Sequence, residues 1–422
     1  MTFEDSEAFA RGLDAADLLA RFRGAFHIPK GPDGRPCLYL AGNSLGLQPH
    51  RARHYIEEAL DDWARLGVEG HLHARSPWLP YHERLTASTA RLVGALPEEV
   101  VVMNTLTVNL HLMMVSFYRP TRERFRVLME ADAFPSDRYA VASQVRYHGH
   151  SPEEAVVEVK PRPGEDVIRP GDLRAAILRE GPRLALVLVG NVNYLTGQAF
   201  DVRALTEAAH AVEARVGFDL AHGAGNLRLR LHDDGPDFAV WCSYKYLNGG
   251  PGSLGGVFVH SRHSQDRTLP RFEGWWGHDK STRFDMPARF HSLPGAEGWQ
   301  LSNPPILQLA ALRASMELFA EAGMAALVEK RNQLTGYLEF LLAGLPPGVV
   351  KVITPRDPEQ RGSQLSLRVA REARGLVTRL GQAGAVVDFR APDVVRAAPV
   401  PLYNSYMDAW RFARILHEHA SA

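Results

Sequence analysis

Arg215-Val-Gly-Phe218-Asp219-Leu-Ala-His222, then Phe238-Ala-Val-Trp-Cys242-Ser243-Tyr244-Lys245-Tyr246 and the glycine run Gly249 to Gly256, is the stretch on which the reading of this chain turns. Two apolar runs of strand length end at ionisable groups, Asp219 in the first and Lys245 just past the second. Outward from them, strand-like and helix-like segments alternate, which argues for α/β layering. Strands are expected at Val100 to Met103, Arg126 to Met129, Ala155 to Lys160, Leu184 to Val189, Arg215 to Leu220, Phe238 to Cys242 and Gly256 to His260, forming one mostly parallel seven-stranded sheet. After the irregular segment Pro270 to Asn303, a long helix starts near Pro305. Strands near Val349 to Thr354, Gln364 to Val369, Ala385 to Phe389 and Val394 to Pro399 then read as a smaller α+β domain. The expected division is 1–50 as an N-terminal segment packing with the small domain, 51–300 as the large domain and 301–422 as the small one.

The chain has six lysines, so each can be weighed singly. Lys30 and Lys160 border Pro/Gly turns, Lys280 lies among charged residues, Lys330 reads as part of a polar helix face and Lys351 starts a short strand. Lys245, flanked by tyrosines at the end of an apolar run, has surroundings suited to an amine nucleophile. Alone it also fits a lysine reaching from a strand end to water. Asp219 at a strand end with His222 three residues on shifts the balance. An aspartate that keeps a pyridine nitrogen protonated and a lysine that forms a Schiff base are what a pyridoxal 5'-phosphate (PLP) site needs.

An anion-binding segment is also present. In Met103-Asn-Thr-Leu106-Thr107-Val-Asn a strand gives way to a helix through hydroxyl and amide residues, where free backbone N–H groups can hold phosphate. Plain N-capping by Thr105 or Thr107 is the alternative. Gly250-x-Gly252-x-x-Gly255 has the spacing of a dinucleotide fingerprint but precedes a strand, so it reads as a tight turn after the lysine. Histidines are plentiful, yet no His-Glu-x-x-His occurs, and no metal is expected.

Composition bounds the rest. With 422 residues, 45% apolar and 23% charged, the chain has the make-up of a globular enzyme of two or three domains. The 48 basic and 48 acidic residues cancel, which argues against nucleic acid or an anionic membrane as main partner. Two cysteines, Cys37 and Cys242, cannot make a disulfide framework. No apolar run reaches membrane-spanning length and the N-terminus lacks a basic, then apolar leader, so a cytoplasmic protein is expected.

Together these segments resemble the kynureninase family of fold type I PLP enzymes, which have the aspartate-aminotransferase architecture. The resemblance runs from about Leu38 to Phe412. It is carried by Gly42-Asn-Ser-Leu-Gly-Leu-Gln-Pro49, Gly70-His71, Arg75 to Trp78, Asn104 to Leu112, Phe134-Pro135-Ser136-Asp137, Asn193-Tyr-Leu-Thr-Gly-Gln198, Phe218 to His222, Tyr244-Lys245, Gly274-Trp275-Trp-Gly-His278, Leu301-Ser302-Asn303-Pro-Pro-Ile306 and Arg396 to Asn404. It implies that Lys245 links the cofactor, that Asp219 meets the pyridine nitrogen with His222 beside it, and that Phe134 stacks on the ring with Pro135, Ser136 and Asp137 nearby. Leu106, Thr107 and Tyr244 would hold the phosphate end. Trp275 and Asn303 would complete the pocket, in this family often from the partner of a homodimer. Arg396 would clamp the substrate carboxylate, a task suited to a planar guanidinium. His71, Ser302, Asn303 and His278 would face the aryl end. One departure stands out: at Gly190 a serine or threonine that helps hold the cofactor is expected, and glycine has no hydroxyl.

The implied reaction is hydrolysis of L-kynurenine, or its 3-hydroxy derivative, to anthranilate (or 3-hydroxyanthranilate) and L-alanine, in tryptophan degradation and the route toward NAD. Lys245 would move the α-proton, and Tyr244 is either an acid/base or only a phosphate ligand. A cysteine desulfurase or other β-eliminating lyase is the rival reading, but it needs a mobile nucleophilic cysteine, and Cys37 and Cys242 both sit in strand-like runs. A catalytically silent PLP-fold subunit is the third, and the intact set Asp219, Lys245 and Arg396 argues against it.

Overall fold

The computed structural model describes residues 2–264, 266 and 268–420. In chain order its strands are β1 (Leu38–Tyr39), β2 (Val100–Met103), β3 (Arg126–Glu130), β4 (Val156–Val159), β5 (Leu184–Gly190), β6 (Arg215–Asp219), β7 (Phe238–Cys242), β8 (Gly255–Val259), β9 (Val350–Val352), β10 (Leu365–Val369), β11 (Ala385–Val386), β12 (Asp388–Arg390) and β13 (Val394–Ala397). The first large sheet has the order β2-β8-β7-β6-β5-β3-β4, and within it only β8 pairs antiparallel with its neighbours. Apolar runs such as Leu184 to Val189 are continuous because a mostly parallel sheet is covered on both faces. Val187 and Val189 enter one core with Phe218 and Trp241, while Leu186 and Leu188 enter the other with Val127 and Val240. That is the α/β architecture expected from the alternation, with strand ends matching to within a residue or two.

The second unit carries the antiparallel sheet β12-β13-β10-β9. The helices Ala373–Gln382 and Tyr406–Ala420 contribute Leu376, Leu380, Phe412 and Leu416 to its core. The N-terminal helix Glu7–Ala16 adds Ala10 to the same core, and β1 pairs in parallel with β11. Two details differ from the sequence reading. The run Ala385 to Phe389 is not one strand: β11 follows β1 while β12 pairs with β13, so the chain changes sheets at Val387. The helix Ile306–Ala322, expected in the small domain, buries Leu309, Leu312, Met316 and Phe319 in the large core, because one apolar face points toward the helix His50–Leu66. The division therefore falls beyond Gly323, in the helix Met324–Ala343, whose Leu334, Leu338, Leu341 and Leu342 enter the small core.

Lys330 also departs from expectation. It is buried rather than on a polar face, with Nζ 2.7 Å from Asp17 Oδ2 and donating to the Pro401 carbonyl at 2.7 Å. A buried ammonium needs such partners, and these hold it between the N-terminal segment and the small domain. Among the described residues, no helix is long and apolar enough to cross a membrane.

Candidate active site

Three adjacent parallel strands, β3, β5 and β6, end at Glu130, Gly190 and Asp219 on the same edge of the sheet, the carboxyl edge where open α/β sheets bind ligands. Lys245 joins them from the loop after β7. That loop is tight: Gly249 N–H donates to the Ser243 carbonyl at 2.8 Å and Asn248 N–H to the Lys245 carbonyl at 3.0 Å. Gly250 (φ +95°) and Gly252 (φ +66°) take backbone conformations that glycine alone adopts without strain. The glycine run is thus the turn into β8, not a nucleotide fingerprint.

The pocket is lined by residues that include Lys245, Asp219, His222, Phe134, Asp137 and Thr107. Lys245 Nζ lies 3.1 Å from His222 Nε2 and 5.8 Å from the centres of the Phe134 and Tyr244 rings. Burial, with the Lys245 charge behind it, lowers the pKa of His222 well below the usual histidine range, so the neutral ring accepts the hydrogen bond from the lysine. Phe134 is 43% exposed, which leaves its ring face available to a ligand, and it meets Tyr194 edge-on at 5.3 Å.

Three carboxyl groups crowd the floor. Asp219 Oδ1 accepts the Ala221 N–H at 2.6 Å. Burial raises its pKa, and Asp137 and Lys245 pull it back. Asp137 is raised well above the aspartate range by burial and by the neighbouring Asp219, so it carries the proton that this pair shares. Glu130, which the sequence reading passed over, is pushed up to about 8 by burial. Its signal was present in the sequence: like Asp219, it is an acid closing an apolar strand.

At the other end, β2 leads into the helix Leu106–Phe117. Thr105 is the N-cap residue but its side chain makes no capping bond, and the Thr107 hydroxyl is engaged with Ser136 Oγ at 2.7 Å. The capping alternative is therefore not realised. The helix's first N–H groups stay free for an anion, close to the start of the helix Pro135–Tyr147, to which Ser136 belongs. Tyr244 lines the same pocket, and burial, then Cys242, raises its phenol above the ordinary tyrosine value.

The remaining expected residues do not line this pocket. Arg396, 1% exposed, places both Nε and Nη2 2.8 Å from Asp388 Oδ1 and donates from Nη1 to the Tyr194 carbonyl at 2.6 Å. Asp388 in turn accepts from Ser44 Oγ at 2.6 Å and from Arg390 at 3.1 Å. Burial would raise Asp388, but the Arg396 guanidinium brings it below the usual range, so it is a carboxylate. Trp275, 40% exposed, donates from Nε1 to Asn303 Oδ1 at 3.0 Å. Ser302 and Asn303 are exposed, and His71 packs edge-on to Trp78 at 5.3 Å. His278 is buried, Nε2 is 3.1 Å from Thr282 Oγ1 and Nδ1 accepts the His291 N–H at 3.0 Å, so both nitrogens are engaged within its own segment.

Among the described residues, Asp137 Oδ1 and His222 Nδ1 are buried without a hydrogen-bond partner, beside an exposed aromatic ring and a free helix N-terminus. Polar atoms left in that state point to a missing ligand. A flat ring ending in a phosphate, reached by one amine, matches PLP. An apo cysteine desulfurase from Thermococcus onnurineus NA1 shares the fold, with a TM-score of 0.77 at 17% identity over 95% of this chain and 98% of that one. A cystine C-S lyase in complex with cysteine persulfide gives 0.76 at 18% over 92% and 99%. Fold and site together define a PLP-dependent enzyme of fold type I. Residues 327–416 match the kynureninase C-terminal domain. A kynureninase of Myxococcus xanthus is 69% identical over 99% of this chain and 98% of its own, and one of Koribacter versatilis is 58% identical over 98% and 97%. The chain belongs to the kynureninase family.

Proposed function

We propose that the protein hydrolyses the β–γ carbon–carbon bond of L-kynurenine to give anthranilate and L-alanine. The observation that carries this reading is a single amine, Lys245, set against a neutral His222 and the acid group of Asp219 and Asp137, in a chain of this family. Bound PLP supplies an electron sink for the negative charge that develops at the substrate α-carbon. The protein does the rest. Asp219 would meet the ring nitrogen and keep it protonated, with Asp137 sharing its own proton with Asp219. The N–H groups at Leu106 and Thr107, with Tyr244, would hold the phosphate. Phe134 would stack on the ring, with Pro135 and Ser136 nearby. Lys245, once free, takes the α-proton, its amine oriented by His222. Water adds to the aryl ketone; as the β–γ bond breaks, Tyr244, whose phenol burial keeps protonated, donates to the β-carbon and takes up the hydroxyl proton of the hydrate as anthranilate departs, and Lys245 returns its proton to the α-carbon to complete L-alanine. A desulfurase would instead need a mobile cysteine, and Cys37 and Cys242 are both buried. The test is direct competition: sulfide release from L-cysteine, measured beside anthranilate release from L-kynurenine, should be at background level. Sulfide at a comparable rate would overturn the reading.

Arg396 is the clamp for the substrate carboxylate, and Asp388 holds its guanidinium in place while Ser44 and Arg390 hold Asp388. Asp388→Asn is expected to raise the KM for L-kynurenine about tenfold, the worth of one charge-assisted bond, while kcat changes little. A drop in kcat at unchanged KM would contradict this role.

The enzyme works as a homodimer in which Trp275 and Asn303 complete the partner's pocket, and His71, Ser302 and Asn303 face the aryl end of the substrate. What supports this is that they lie outside the Lys245 pocket, with Trp275 and Asn303 hydrogen-bonded and exposed. His278 orients that segment through Thr282 and His291. Mixing Lys245→Ala protomers with Trp275→Ala protomers should restore about a quarter of wild-type activity, since half of the dimers are hybrids with one intact site each. Two variants that remain as inactive mixed as apart would place these residues in their own protomer's site.

A further inference from the structure

Gly190 was expected to be a serine or threonine, and the structure gives the glycine a reason. A Cβ built at position 190 would lie 2.9 Å from Glu130 Oε1, closer than side chains pack. The Glu130 carboxyl reaches over the end of β5 into that space, with both oxygens 3.2 Å from Gly190 N. It is 3% exposed, lines the cofactor pocket and, among the described residues, is paired with no cation.

We propose that Glu130 is a positioning residue for the cofactor: its carboxyl fills the space left at Gly190 and stays uncharged, so that Asp219 is the one negative charge on the pocket floor. The groups that face it are Asp137 from the helix Pro135–Tyr147, Asp219 from β6, and beyond them Lys245 and His222. His222 is neutral, which leaves one cation, Lys245, among three carboxyl groups. Three carboxylates in a dry site repel one another, and with one cation to offset them Glu130 and Asp137, both raised by burial and by the neighbouring Asp219, retain their protons. The rise of Glu130 to about 8 agrees with this arrangement. A neutral acid accepts the Gly190 N–H and still offers an O–H donor, which a serine or threonine at 190 would otherwise supply.

The proposal rests on the PLP reading, and wild-type protein that fails to bind PLP would sink that reading first. Given binding, Glu130→Gln, which keeps shape and donor without the acid, should hold PLP with a dissociation constant within about twofold of wild type and titrate its cofactor absorbance at the same pH. Glu130→Ala, which empties the space, should weaken PLP about tenfold or more, the cost of leaving a buried polar group unmatched, and Gly190→Ala, whose Cβ would meet only the movable end of Glu130, should weaken it by less. A second readout needs no cofactor. A carboxyl raised in the folded state stabilises fully below its unfolded pKa, and that contribution is lost as pH rises through about 8. The urea midpoint of the apoprotein should therefore fall less between pH 5 and roughly pH 8.5 in Glu130→Gln than in wild type, with Asp137 keeping its own share of the slope. A shifted cofactor titration in Glu130→Gln, PLP lost as fully as in Glu130→Ala, or an unchanged urea slope would each overturn the proposal.

Discussion

Lys245→Ala is expected to lower anthranilate production from L-kynurenine by about four orders of magnitude, the combined loss of the covalent anchor and of a positioned proton carrier. Among the described residues, Lys245 is the only amine lining the pocket. Lys330, the buried lysine, is committed to Asp17 and the Pro401 carbonyl. His222, 3.1 Å from Nζ, cannot take over, because burial holds its ring neutral and an imidazole cannot bond to the cofactor carbon as a primary amine does. Single-turnover fluorescence measures this. A rate within tenfold of wild type would place the chemistry on another group.

The second large effect is expected at Asp219. Asp219→Asn should lower kcat about a thousandfold, because an amide cannot hold a proton on the ring nitrogen and so cannot keep the cofactor electron-poor. The change is nearly isosteric, and the Ala221 N–H can still be accepted, so folding should be preserved. Asp137 will not compensate: it already carries the shared proton, and its pKa is held far above the aspartate range by burial and by the charge it would then have to replace. The pH profile carries the same signature. Because burial raises Asp219, the acid limb of kcat should lie above the ordinary aspartate range, and it should be missing from the residual activity of Asp219→Asn. A decrease of less than tenfold would mean that the ring nitrogen is served by another group.

The large sheet was legible because buried strands are written as apolar runs: β2, β5 and β7 are unbroken ones, and β3 and β6 carry short ones between an arginine and an acid. The pairing of Asp219 with Lys245 was legible because both are polar groups at the ends of those runs. What the pattern could not say is who partners whom. Ala385 to Phe389 reads as one strand, and the change of sheet at Val387 depends on β1, far away in the chain. Ile306–Ala322 has an apolar face in either domain, and only its fit to His50–Leu66 decides which. Lys330 looked exposed because Asp17 lies more than three hundred residues before it. Glu130 was visible as an acid closing an apolar strand, but what it does depends on the side chain absent at Gly190 on a neighbouring strand. Asp388, which fixes Arg396 and tethers the Ser44 loop, is likewise a contact between distant segments.

The most direct test of the central claim is product stoichiometry. Purified protein reconstituted with PLP is given L-kynurenine, with 3-hydroxykynurenine in parallel, and anthranilate and L-alanine are quantified together. Equal amounts of the two products, formed only when PLP is present, are the predicted result. Alanine absent while PLP is bound, or anthranilate formed equally well without PLP, would contradict hydrolytic carbon–carbon cleavage at the Lys245 site.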